Sequence, residues 1–157
     1  MEGFEQIKIT MQLTDPSITD LISVSTMTLA TTSLEGVPHA APLYFAADGE
    51  LHLYFFSDPR SQHIRYVTHH PSAAVTLYPL CSRWEDIRGL QMQGEVQLVN
   101  QGLEWAEGWE IYAAKFPFVS KLKDIVDSNT LYVFIPHWVR LVDNRRGFGF
   151  KQEWTFT

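Results

Sequence analysis

The chain has 157 residues, and a hydrophobic share of 45% is enough to give one domain a buried core. Its formal net charge of -6, with no dense block of Lys and Arg, argues against a nucleic-acid partner. Cys81 is the single cysteine, so an internal disulfide is impossible, a reducing compartment is expected, and the thiol reads as a small buried side chain. The opening Met-Glu-Gly-Phe-Glu-Gln-Ile-Lys lacks the basic and apolar regions of a secretion signal. No run reaches the roughly 20 apolar residues needed to span a bilayer. A soluble, cytoplasmic protein without membrane contact is expected.

Asp15 is placed to cap a helix over 16–24, with Pro16 in its first turn and Ile18, Leu21 and Ile22 on one face. Residues 28–32 read as a strand, Ser33-Leu34-Glu35-Gly36 as a turn, and 37–46 as the partner strand of a hairpin. Pro38 and Pro42 cannot donate to a ladder, so one edge of that partner must be partly unpaired or the strand must bend. Free backbone groups there are open to a ligand. Ala47-Asp48-Gly49-Glu50 then turns the chain into a strand in which Leu51, Leu53 and Phe55 alternate with His52, Tyr54 and Phe56.

That strand ends at Asp58-Pro59, which reads as the start of a helix over 59–69, with Asp58 as cap and Pro59 at the first helical position. Ser57, Arg60, Ser61, Gln62 and His63 therefore surround a helix N-terminus, where free N–H groups and the positive end of the dipole attract an anion. Two readings stand side by side: a phosphate cradle, or a cap whose carboxylate already satisfies those donors.

Pro71 ends the helix, 73–78 is a β-branched and aromatic strand, and 80–86 is a loop carrying Cys81 and Trp84. Over 88–99, Leu90, Met92, Gly94, Val96 and Leu98 share one strand face, while Gly89, Gln91, Gln93, Glu95 and Gln97 share the other, which should be wet or ligand-facing. Asn100 can cap a helix in which Trp105, Trp109, Tyr112, Ala113 and Phe116 recur as core or dimer surface. A short helix over 118–126 follows Pro117, then strands over 130–142 and 147–154 joined at Asp143-Asn144-Arg145-Arg146. The sum is a mainly β (α+β) single domain over 1–157, a small barrel of six to seven mostly antiparallel strands with two to four peripheral helices. No catalytic residue stands out: Ser57 and Ser61 lack the Gly-x-Ser-x-Gly elbow, and the six histidines form no metal pattern.

Taken in order, Thr28-Leu29-Ala30-Thr31-Thr32, Gly36-Val37-Pro38-His39, Leu53-Tyr54-Phe55-Phe56-Ser57 with Ser61-Gln62-His63, and Leu90-Gln91-Met92-Gln93-Gly94-Glu95-Val96 resemble the pyridoxamine 5′-phosphate oxidase-like family of FMN-binding split barrels. The closing Asp143-Asn144 and Gly147-Phe148-Gly149-Phe150-Lys151 look like a small bacterial subgroup of it. The resemblance implies a homodimer with FMN between the subunits, acting on a small-molecule substrate with NAD(P)H as a possible electron donor. It carries the flavin contacts onto Ala41, Pro42, Leu43 and Tyr44, and the phosphate contacts onto Phe56, Ser57, Ser61, Gln62 and His63. Gln91, Asn144 and Phe148 would complete the site from the other subunit.

This chain departs from the phosphate oxidases proper, which have Arg where Ala41 and Gln62 stand and Lys where His63 stands. Arg60 and Arg65 are candidates to replace part of that charge, as is a protonated His63. Ala46 stands where the substrate-holding Lys would be, and the closing Arg-Leu-His motif is missing, so oxidation of pyridoxamine phosphate is not expected. The alternative is a non-catalytic binding or carrier protein of the same fold for flavin, haem or another planar ligand.

Overall fold

One stretch of chain joins the two ends of the sheet. In the computed structural model, which describes residues 15–156, the elements are α1 (Pro16–Leu21), β1 (Thr26–Thr32), β2 (Pro38–Tyr44), β3 (Ala46–Ala47), β4 (Leu53–Ser57), α2 (Gln62–His69), β5 (Ser72–Leu77), β6 (Arg88–Leu98), α3 (Leu103–Lys115), α4 (Lys123–Ser128), β7 (Thr130–Asp143) and β8 (Lys151–Thr155). The strands pair antiparallel along the path β2-β1-β5-β6-β7-β4-β3, whose two ends are consecutive in the chain with Phe45 alone between them. The sheet curls until those ends meet in what is nearly one strand. The expected strand over 37–46 divides because Phe45, fully buried, turns its N–H to the Ser25 carbonyl at 3.3 Å. That division makes eight strands of the six to seven expected.

β7 is the splint of the barrel. It pairs with β6 along one side; on the other, Thr130–Phe134 pair with β4 and Trp138–Val142 with β8. The β6–β7 register shifts between Gln93 and Gly94. Only glycine fits there, since a Cβ on Gly94 would stand 2.1 Å from the Ile135 carbonyl oxygen. Among the described residues β2 has a single neighbour, β1, so the free edge expected from Pro38 and Pro42 is present there.

The core is what the period-2 patterns demand. Met27 and Leu29, Leu53 and Phe55, Val75 and Leu77, and Leu90 and Met92 all point inward and are buried, and Ile18 and Leu21 of α1 close over them. Leu98 departs from its pattern: at the last position of β6 it is 58% exposed, bordering a shallow groove with Val67 and Tyr132. Cys81 is exposed, not buried as expected, in a loop whose Tyr78 and Leu80 are exposed as well.

Helix boundaries differ where capping chemistry was misjudged. Asp15 does cap α1, its carboxylate accepting from the Ser17 N–H at 2.9 Å, but the helix stops at Leu21. Gly102, at φ 106°, precedes α3, while Asn100 donates to the Glu104 carboxylate at 3.1 Å. The helix expected over 118–126 is a 3₁₀ turn, Pro117–Lys121, followed by α4. Of the α3 stripe, Tyr112 and Phe116 are buried in a satellite core with Ala46 and Val119, and Trp105 stacks on Trp109 at 5.7 Å. α3 lies close to β4 because Gly108 has no side chain: a Cβ there would be 2.8 Å from the Tyr54 ring. No helix among the described residues is long and apolar enough to cross a membrane.

Candidate functional site

The turn after β4 decides what the start of α2 can do. Asp58 accepts from the Arg60 backbone N–H at 2.8 Å and from the Arg60 guanidinium at 3.1 and 2.9 Å, so its carboxylate is spent within the turn. The expected helix from Pro59 with Asp58 as cap is therefore corrected. Pro59 lies in the turn, Ser61 is the N-cap residue, and α2 begins at Gln62. Ser61 makes no side-chain capping bond, because its hydroxyl faces Ser57 Oγ at 3.3 Å and His63 Nε2 at 3.2 Å. The helical ladder opens with the Arg65 N–H on the Ser61 carbonyl, leaving the N–H groups of Gln62, His63 and Ile64 ahead of it.

Beside those donors lies a buried polar cluster. Ser57 and His63 are 7% and 8% exposed, and Ser57 Oγ is 2.6 Å from His63 Nε2. His39, reaching across from β2, lies parallel to the His63 ring at 6.3 Å and edge-on to Tyr66 at 6.1 Å. Gln62 Nε2 donates to the Tyr66 hydroxyl at 2.9 Å. Burial, and then the neighbouring His39, push the His63 imidazole below the usual histidine range, so it is neutral at neutral pH. Arg60, the nearest replacement for the missing cations, is paired to Asp58 at 2.9 Å. The corner offers hydroxyls, amides and backbone N–H groups rather than fixed positive charge.

The structure gathers Ser57, Ser61, Gln62 and His63 and sets the other expected site residues apart. Ala41, Pro42, Leu43 and Tyr44 follow one another along β2, with Ala41 buried and Tyr44 exposed and 5.2 Å from Phe116. Phe56 packs edge-on against Trp109 and Tyr112 of α3, at 5.9 and 5.1 Å. Gln91 sits on the outer sheet face between Thr76 and Arg140, in a hollow of about 450 Å³ that Trp138 also lines. Ser57 pairs with Thr130 and Asn144 follows Asp143, so those two site residues lie at opposite ends of β7. Asn144 braces its own loop, donating to the Trp84 carbonyl at 2.8 Å and accepting from the Gly149 N–H at 3.0 Å. Phe148 is 84% exposed and stands edge-to-face with Trp84 at 5.6 Å.

His39 and Tyr66 are the members that sequence reasoning missed. His52, on the neighbouring strand, takes no part in the cluster and bonds Asp48 at 2.9 Å. The placement of His39 on a strand three residues from a turn carried no sign of α2 crossing above it. Among the described residues no group of three or more His, Cys, Asp or Glu side chains is placed to hold a metal ion.

An antiparallel sheet curled through one shared strand, with a helix opening beside the end of β4, defines a split-barrel protein. The chain belongs to the pyridoxamine 5′-phosphate oxidase family, which it matches over residues 15–143. Among solved structures it is similar to a heme-binding protein from Mycobacterium smegmatis, with a TM-score of 0.73 and 21% identity over 88% of this chain and 57% of that one. It is also similar to the heme storage protein HutZ from Vibrio cholerae (TM-score 0.67, 16% identity, 80% of this chain and 91% of that one). A Clostridium acetobutylicum protein related to general stress protein 26 follows at TM-score 0.65 and 11% identity, over 88% and 91% of the two chains. At these identities the likeness is one of fold. No curated protein matches the chain.

Proposed function

We propose that this protein is an FMN-dependent oxidoreductase that works as a homodimer on a small organic molecule, with NAD(P)H as electron donor. The observation that carries the reading is the commitment of Asp58 to Arg60, which leaves the first N–H groups of α2 open to an anion beside Ser57, Ser61 and His63. A flavin phosphate fits that donor set, held by hydrogen bonds more than by charge. When bound, FMN supplies the redox chemistry, and the protein supplies position and electrostatics. The free edge of β2 at Ala41, Pro42, Leu43 and Tyr44 would lie along the ring. Asn144 stands at the opposite end of β7 from Ser57 in one chain, so Asn144, with Phe148 and Gln91, would join the site from a second copy. Pyridoxamine phosphate is disfavoured as substrate, since Ala46 is buried and carries no charge.

The test is direct. Purified protein should be yellow or should bind added FMN, and light scattering should give the mass of two chains. Colourless protein indifferent to FMN would end this reading, and a single-chain mass would remove the shared site.

A second reading, a haem-binding or carrier role without turnover, draws on the pairing of Arg60 with Asp58 beside His63 and on the similarity to the haem-binding protein of Mycobacterium smegmatis and the haem storage protein of Vibrio cholerae. A Soret band on adding haem, with no flavin retained, would favour it.

A further inference from the structure

We propose that His39 and His63 make the grip beside Ser57 proton-operated: with His63 neutral its Nε2 lone pair holds a serine hydrogen, and with His63 charged that hydroxyl turns outward to a bound oxyanion. This rests on reading the corner as the phosphate end of the site. The geometry comes first. His63 Nε2 stands between Ser57 Oγ at 2.6 Å and Ser61 Oγ at 3.2 Å. A neutral ring that accepts at Nε2 takes a serine hydrogen, and that hydrogen is then lost to any ligand. A charged ring can only donate, so the serine becomes the acceptor and its own O–H is released.

Burial, first, keeps His63 neutral when no anion is bound, and His39 adds to it: its ring lies parallel to that of His63 at 6.3 Å, and two charged rings so placed repel. Among the described residues, the other groups around the corner supply no counter-charge. On the turn, Asp58 and Arg60 neutralise each other. On α2 itself Arg65 is exposed and Tyr66 is engaged by Gln62. From β7, Tyr132 is held in its uncharged form by burial, and β1 presents the uncharged Thr31. A bound oxyanion would therefore be the partner that stabilises a charged His63, and by linkage it would bind more tightly as pH falls. The ligand class is a phosphate monoester or another terminal oxyanion.

Phosphate monoesters lose charge themselves near pH 6, so inorganic sulfate, which keeps its charge, is the cleaner probe. The imidazole carbons of His39 and His63 are followed by NMR from pH 5 to 8 with and without sulfate. Sulfate should raise the His63 midpoint, and its affinity should rise about tenfold for each unit of that shift. His39→Asn should raise the ligand-free His63 midpoint, and His63→Gln should flatten the pH dependence. A His63 midpoint indifferent to sulfate, or unmoved by His39→Asn, overturns the proposal. FMN and riboflavin separate the two levels. If sulfate behaves as described but FMN binds at no pH, the flavin reading falls and the proton-operated grip stands. If FMN binds with the same pH dependence as riboflavin, which lacks the phosphate, the grip falls and the flavin site stands.

Discussion

Lys115, in the last turn of α3, holds its ammonium 3.9 Å above the ring of Phe45, the residue at which β2 becomes β3. The same Nζ donates to the carbonyls of Ile22 and Val24 at 3.0 and 2.7 Å, just beyond the end of α1. One side chain thus fastens α3 and α1 to the seam of the barrel, using carbonyl oxygens and the face of an aromatic ring in place of a carboxylate.

Replacing it should be felt throughout the fold. Lys115→Met keeps the stem but leaves two carbonyls without a donor, a loss partly offset by removing a half-buried charge; a net destabilisation of about 1–2 kcal/mol is expected in urea titrations at pH 7. Burial pulls the Lys115 amine down to about 8, from 10.5. Between those values the unfolded chain binds the extra proton, so this group makes stability rise as pH climbs from about 8 to about 10.5. That rise should be absent from the Met variant.

The β3–β4 turn carries a second pH-dependent contact. Asp48 accepts from the N–H groups of Glu50 and His52 and from His52 Nδ1, at 2.8 to 2.9 Å. The hydrogen bond to Asp48 raises the His52 imidazole above its ordinary value, against the opposing effect of burial. For Asp48 burial works upward, but the bonds from His52 and Glu50 outweigh it and the carboxyl is lowered. The His52 contribution is complete below about pH 6.5 and fades as pH rises through its raised folded value, whereas that of Asp48 is present above about pH 4 and fades in acid. His52→Gln should therefore destabilise the fold more at pH 5.5 than at pH 8, by up to about 1 kcal/mol for this partly exposed pair, as read from urea titrations at the two pH values.

Gly94 should tolerate nothing larger. With a Cβ falling 2.1 Å from the Ile135 carbonyl, Gly94→Ala has to force β6 and β7 apart at their bulge, at a cost of about 3 kcal/mol or more. Gly49→Ala, where a Cβ meets nothing within 4 Å, is the matched control and should shift the urea midpoint little.

Ser57→Ala tests fold and site together. The 2.6 Å contact with His63 disappears, leaving the ring with Ser61 alone, and about 1–2 kcal/mol of stability should go with it. If FMN is the ligand, fluorescence quenching should show its affinity falling about tenfold, the worth of one hydrogen bond. An unchanged flavin affinity would place the phosphate elsewhere.

Much of this architecture was legible in the chain. Alternation over 88–99 and the two prolines of β2 foretold a buried strand face and an open sheet edge, because side-chain period and the missing proline N–H are properties of a few consecutive residues. The start of α2 was misread for an equally local reason. Asp58 and Ser61 both suit a cap, and the guanidinium of Arg60 claimed the first while the Ser57–His63 pair claimed the second.

By itself, then, the order of residues determined the strands, the edge and the family, all of which follow from periodicity and from motifs set by spacing along the backbone. Only the tertiary structure decided that His39 would lie against His63, that Asn144 would stand at the far end of β7 from Ser57, and that Lys115 would close the seam at Phe45. The first and last are meetings between residues 24 and 70 positions apart in the chain and the second is a separation set by the length of β7, and the energies of such contacts depend on burial and on through-space charge, which no local pattern encodes.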